Sequence, residues 1–195
     1  MLTTYTLEEM MQLWRRRYGL LVDDCGCVVT RHDGTSVDAL LHERIDSWYD
    51  SLLLTADPAL LPVRDMADEV EKIERVSENC ISLEFPEKGV RPLLVQLTYW
   101  DDPLTVFHTA DSATALRQRN PRLGGTRRHP VGVVVGRNLF IYGVSDGERE
   151  VAITPDFSKI RLKKLLMVAY PKDTDIYTLD RSLLSTIKPS DYEVR

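Results

Sequence analysis

Between Pro62 and Tyr170 the chain is a succession of short β-forming runs, each closed by a turn signal, and this punctuation limits the possible folds severely. Glu69 to Val76 alternates weakly, Cys80 to Phe85 alternates clearly, and Leu93 to Trp100 is rich in β-formers. Asp101-Asp102-Pro103 then turns the chain into Leu104 to His108. Ser112 to Gln118 suits a short helix, after which Asn120-Pro121 and Gly124-Gly125 interrupt. Pro130 to Val135 leads through Gly136-Arg137-Asn138 into Leu139 to Val144, the pattern of a β-hairpin, and Asp146-Gly147 turns it back. Val151 to Thr154 and Ile160 to Tyr170 add two strand candidates, although Lys163-Lys164-Leu165-Leu166 equally suits the start of a helix. Six or seven strands of this length predict a β-sandwich or barrel.

Upstream of Pro62 the period changes. Leu7, Met10, Met11 and Trp14 recur at helical spacing, with Thr6 as N-cap and Glu9 as its capping-box partner, so a helix is predicted from Thr6 to Gly19. Leu20 to Thr30 fits either a short strand or an irregular loop. A second amphipathic helix is predicted over Ser36 to Leu54, capped by Ser36 and followed by Pro58 and Pro62. Leu183 to Ile187 suits one helical turn, and Lys188 to Arg195 is too poor in apolar residues for a core. The 195 residues therefore predict an α+β protein with a helical region over 1–62, a β-domain over 63–171 and an extended C-terminal arm or tail over 172–195.

Several function classes find no support in the residues. Pro130 to Val135 and Leu165 to Tyr170, the longest apolar runs, fall far short of the roughly 20 residues a membrane helix needs. The opening residues, Met1 to Met10, carry acids where a secretory leader has lysines, so a cytoplasmic site of synthesis is expected. Three cysteines, Cys25, Cys27 and Cys80, make a poor disulfide framework. Cys25-Gly26-Cys27 with His32 and His42 invites a zinc reading, but the pair lacks the two-residue knuckle spacing and a second pair, and buried thiols fit better. His32, His42, His108 and His129 are scattered outside any catalytic frame. Asp23-Asp24 and Asp101-Asp102 read as turn chemistry, and Gly124-Gly125-Thr126-Arg127 lacks the lysine and the flanking elements of a phosphate loop. The expectation is a protein that is not an enzyme and takes no cofactor or metal.

Charge is the informative anomaly. Asp38 to Lys88 carries thirteen acids against five Lys and Arg, a net charge of -8. Ser112 to Ser145 has no acid and six arginines: Arg117, Arg119, Arg122, Arg127, Arg128 and Arg137. The planar guanidinium is suited to phosphate and to interfacial carboxylates, and Gly124 and Gly125 suggest a mobile loop presenting several at once. Such a loop serves a subunit interface against an acidic surface, touches a DNA backbone, or is a solvated loop with no specific role. No aromatic lies between Phe107 and Phe140, which removes the stacking platform of a single-strand binder. The net charge of -5 also disfavours free-standing DNA binding.

The order of these segments resembles a known family. Leu60-Leu61-Pro62-Val63-Arg64-Asp65 is followed by Ile81-Ser82-Leu83-Glu84-Phe85-Pro86, then Leu93 to Trp100 with Asp102-Pro103. Next come the arginine-bearing Ser112 to Asn120 and His129-Pro130-Val131-Gly132-Val133-Val134. This series resembles the ring or head-to-tail connector (adaptor) proteins of tailed bacteriophages, above all those of short-tailed, crAss-like phages. It covers Leu60 to Tyr170; the segment with Cys25 and Cys27 has no counterpart, and Val168-Ala169-Tyr170-Pro171 matches the family's strand-edge motif only loosely. The resemblance implies a structural virion protein assembled in the host cytoplasm. It would form a cyclic homo-oligomer in the neck, stacked between the portal protein and other neck or tail rings, with genomic double-stranded DNA passing through its lumen. Arg117, Arg119, Arg122, Arg127 and Arg128 would then face a neighbouring subunit or the DNA. The alternative is a cytoplasmic nucleic-acid-binding accessory protein using the loop 117–128.

Overall fold

A computed structural model describes residues 1–17, 36–120, 123–144, 160–173 and 175–187, and among them the chain is α+β. It divides into two compact units, Met1–Pro62 with Tyr170–Arg195, and Val63–Ala169.

The first unit begins with strand β1 (Leu2–Thr6) and helix α1 (Leu7–Arg17). The capping box is formed: the Glu9 amide donates to Thr6 Oγ1 at 3.3 Å and the Thr6 amide donates to Glu9 Oε2 at 2.9 Å. Helix α2 (Val37–Thr55) buries Leu41, Ile45, Tyr49, Leu52 and Leu53, one stripe at helical spacing. Ser36 stands at its N-cap, but its side chain caps nothing. Trp14 and Trp48 join the two helices edge to face, with ring centroids 5.8 Å apart.

From Tyr170 onward the chain returns to this unit, which corrects the expectation of an extended arm from Lys172. After β2 to β9, described below, Ile176–Asp180 forms strand β10, antiparallel to β1 with Tyr5 opposite Tyr177. Arg181–Thr186 follows as a 3₁₀ helix, capped by Asp180, whose Oδ1 accepts from the Ser182 amide at 3.0 Å. The physical reason is burial: Tyr177, Leu179, Leu183, Leu184 and Ile187 all enter the core. Of the expected arm, 174 and 188–195 lie outside the described residues.

Three tyrosines fasten α2 to this returning segment. Tyr49 Oη donates to the Thr178 carbonyl at 3.1 Å, Tyr177 Oη to Asp46 Oδ1 at 2.6 Å, and Tyr170 Oη to Asp50 Oδ1 at 2.8 Å. Tyr170 therefore belongs with the helices, and the β unit ends at Ala169, two residues before the expected boundary.

The second unit contains strands β2 (Val63–Asp65), β3 (Ile73–Ser77), β4 (Cys80–Glu84), β5 (Gly89–Leu97), β6 (Phe107–Thr109), β7 (Val131–Val135), β8 (Asn138–Tyr142) and β9 (Leu162–Ala169), and helix α3 (Ala113–Arg117). Among the described residues it thus has eight strands, where six or seven were expected. They form a three-stranded sheet, β2-β9-β5, and a five-stranded sheet, β3-β4-β8-β7-β6. The register places Ile81 opposite Ile141 and Leu83 opposite Leu139, so these four share one face. They enclose a single core with Val95, Leu97, Leu165 and Met167 of the smaller sheet. Gly136, with φ 59°, opens the two-residue turn of the β7–β8 hairpin in the primed geometry that matches strand twist. The segment Leu162–Ala169 is a strand, not a helix. Val151 to Thr154, Leu20 to Thr30 and the Gly19 helix end lie outside the described residues.

Candidate functional site

The arginine surface is built on α3 and the chain that leads from it into β7. Ser112 Oγ caps α3 by accepting from the Ala115 amide at 3.1 Å. Arg117 closes the helix and Arg119 follows it; both are exposed. Gln118 between them is a brace: its Nε2 donates to the Thr114 carbonyl at 3.0 Å and its Oε1 accepts from the Gly125 amide at 2.7 Å.

Gly124-Gly125 is not the mobile hinge the sequence suggests. Gly125 is buried, its carbonyl accepts from Asn79 Nδ2 at 2.7 Å, and a Cβ on it would lie 2.9 Å from the Tyr142 carbonyl oxygen. Glycine is required here for close backbone approach, and the loop is held at both its amide and its carbonyl. Gly143 is constrained from the other side, with φ 96° and a would-be Cβ 2.4 Å from the Thr126 carbonyl oxygen.

Thr126 and His129 close a tight turn by reciprocal backbone bonds of 3.1 and 2.9 Å, with Arg127 and Arg128 at its centre. Their side chains part company. Arg127 Nη2 donates to the Tyr99 carbonyl at 2.8 Å and its guanidinium sits 5.3 Å from the Tyr99 ring centroid, so it serves the fold. Arg128 is exposed. Arg137 is likewise structural, donating to the Phe85 and Pro86 carbonyls at 3.1 and 3.0 Å. Arg122 lies outside the described residues. Arg117, Arg119 and Arg128 are thus exposed cations, and none of them forms a salt bridge among the described residues. Leu116 and Leu123 stand among them, 47% and 61% exposed. This apolar component was missed from sequence, because Leu116 has the spacing of an ordinary helix face. The arrangement presents guanidinia and aliphatic surface together, which suits carboxylates beside apolar side chains.

Charge is divided unevenly between the two units. The first unit carries a net charge of -6 and the second +1. Within the second unit, Arg64 to Asp111 is at -6 and Ser112 to Ser145 at +6, so this unit by itself carries segments of both signs.

The remaining candidates are dispersed. His42 Nε2 lies 3.4 Å from Asp46 Oδ2 on one face of α2, and His129 is exposed in its turn. Cys25, Cys27 and His32 lie outside the described residues, and among those described no three His, Cys, Asp or Glu are grouped to hold a metal. Cys80 is buried; burial pushes its thiol up to about 11, with hydrogen bonds from Tyr142 and the Ile141 backbone opposing. Asp65 is structural, its Oδ1 accepting from the Leu165 and Ala67 amides at 3.0 and 3.2 Å. In the first unit a cavity of about 520 Å³ opens between α1, β1 and the 3₁₀ helix, lined by Thr3, Tyr5, Leu13, Arg17, Arg181 and Leu184 among others. No described helix is long and apolar enough to cross a membrane. No protein-family model, curated protein or solved structure matches the chain.

Proposed function

We propose that the chain is a structural virion protein, a ring-forming subunit of a phage neck that connects the portal to the tail and encloses the DNA passage. Its β unit is read as a two-sheet sandwich, since the three- and five-stranded sheets contribute to one core. The observation that carries the proposal is the display of Arg117, Arg119 and Arg128 on that scaffold, held by the Gln118 and Asn79 bonds to Gly125. A ring of identical subunits needs two different complementary patches on each, and a unit with segments of -6 and +6 is able to supply both. The order of sequence segments that resembles phage connectors points the same way.

On this reading the protein acts by geometry. Each subunit contributes a pre-formed surface, and the ring gains stability from contacts repeated around its axis rather than from chemistry at one site. An antibody raised against the first unit tests the proposal on purified phage particles in the electron microscope. Label confined to the junction of head and tail is expected; intact particles without label there, but with the chain left in the lysate, would overturn it and favour the nucleic-acid accessory role.

A further inference from the structure

We infer that the arginine surface docks on the β3 edge of a second copy of this chain, so that the β units associate head to tail. The inference rests on the ring-subunit reading and names the contact that reading requires. β3 is the edge of the five-stranded sheet, and among the described residues no strand pairs with its outer side. The chain running into and along it, Arg64 to Glu78, holds six acids against Arg64, Lys72 and Arg75. Glu71, Glu74 and Glu78 are exposed, and Val76 stands 53% exposed among them. Acids interspersed with an exposed aliphatic residue are the complement of Arg117 and Arg119 interspersed with Leu116 and Leu123.

The apolar component decides against DNA as the occupant. A phosphate backbone offers a leucine nothing, whereas a protein surface bearing Val76 between carboxylates matches both parts of the arginine face. Lys72, which pairs with Glu74, and Arg75 sit on the same edge and discourage bare strand-to-strand pairing, so the contact is made by side chains. Two different patches that complement each other are what a heterologous contact, which propagates around an axis, is built from.

The test uses the full chain and two charge-reversed variants, Arg117→Glu/Arg119→Glu and Glu71→Lys/Glu74→Lys/Glu78→Lys. All five positions are exposed, so both variants are expected to melt with the wild type. Sedimentation velocity over a concentration series should show wild-type association, about tenfold or greater weakening in each variant alone, and recovery when the two are mixed in equal amounts. Recovery is the decisive result, since one junction in the mixture is native and the other has its charges exchanged. Wild-type assembly with no recovery in the mixture would overturn this contact while leaving the ring reading in place. A wild-type chain that stays monomeric yet binds duplex DNA, more weakly as salt rises, would overturn it by assigning the arginines to phosphate. The ring reading itself is decided separately, by the presence of the chain in particles.

Discussion

Arg127 gives its guanidinium to the carbonyl and ring of Tyr99, while the next residue, Arg128, stands in solvent. Arg127→Ala is expected to cost about 1–2 kcal/mol of unfolding free energy, and Arg128→Ala less than about 0.5, both read from urea denaturation. Gly143→Ala forces a positive φ on a residue with a Cβ and drives that Cβ against Thr126, with an expected loss of about 3 kcal/mol by the same measurement. The sequence shows six arginines without acids, but not which of them are committed to backbone carbonyls. Tyr99, Phe85 and Pro86 are distant in sequence and reach the arginines only in the folded unit. The glycine pair misleads for a related reason: its purpose is set by Tyr142, which no local pattern reveals.

Within single elements, local chemistry is legible and long-range pairing is not. The capping box of α1 and the β7–β8 hairpin are visible because every partner lies within a few residues. Thr6→Ala is expected to cost about 1 kcal/mol, whereas Ser36→Ala should change stability very little, because the Ser36 side chain makes no cap bond; thermal melts distinguish the two. β1 and β10 escape notice because Leu2 to Thr6 lacks alternation and its partner strand lies at the far end of the sequence. β5 starts at Gly89, earlier than expected, since Pro92 argues against a strand; it is tolerated at an irregular register on an edge strand of its sheet. The tyrosine ties of α2 give this unit a pH signature. Burial pushes the Tyr49 phenol up to about 12, the Thr178 amide, which donates to Tyr49 Oη at 3.2 Å, opposing and the Asp50 charge adding; burial and the Asp50 bond push Tyr170 to about 12 as well. Below pH 10 folded and unfolded phenols are both protonated, so they give no pH dependence. Above it the unfolded phenol ionises first, and Tyr49 should lower stability by up to about 1.4 kcal/mol per pH unit until about pH 12. Circular dichroism against pH, followed with tyrosinate absorbance, should show helix loss and ionisation together.

For the molecule as a whole, the division into units governs what truncation does. A chain ending at Pro171 lacks β10 and the buried Leu183, Leu184 and Ile187, so the helices of the first unit should lose cooperative melting, while one ending at Ile187 should keep it. Calorimetry on both chains reads the difference directly. The α+β class is legible from the change of period at Pro62, whereas the return of the C-terminal segment to the helices is not. A few alternating residues, Ile176 to Asp180, look like tail until their partner strand is present. The charge pattern survives folding in altered form: both signs are carried by the β unit itself, which is the property a head-to-tail assembly needs. Quantitative mass spectrometry of purified particles tests the proposed place of this chain in a phage neck. Recovery of the chain at a fixed, multi-copy ratio to the portal protein is expected; its absence from particles that contain portal and capsid would overturn that place.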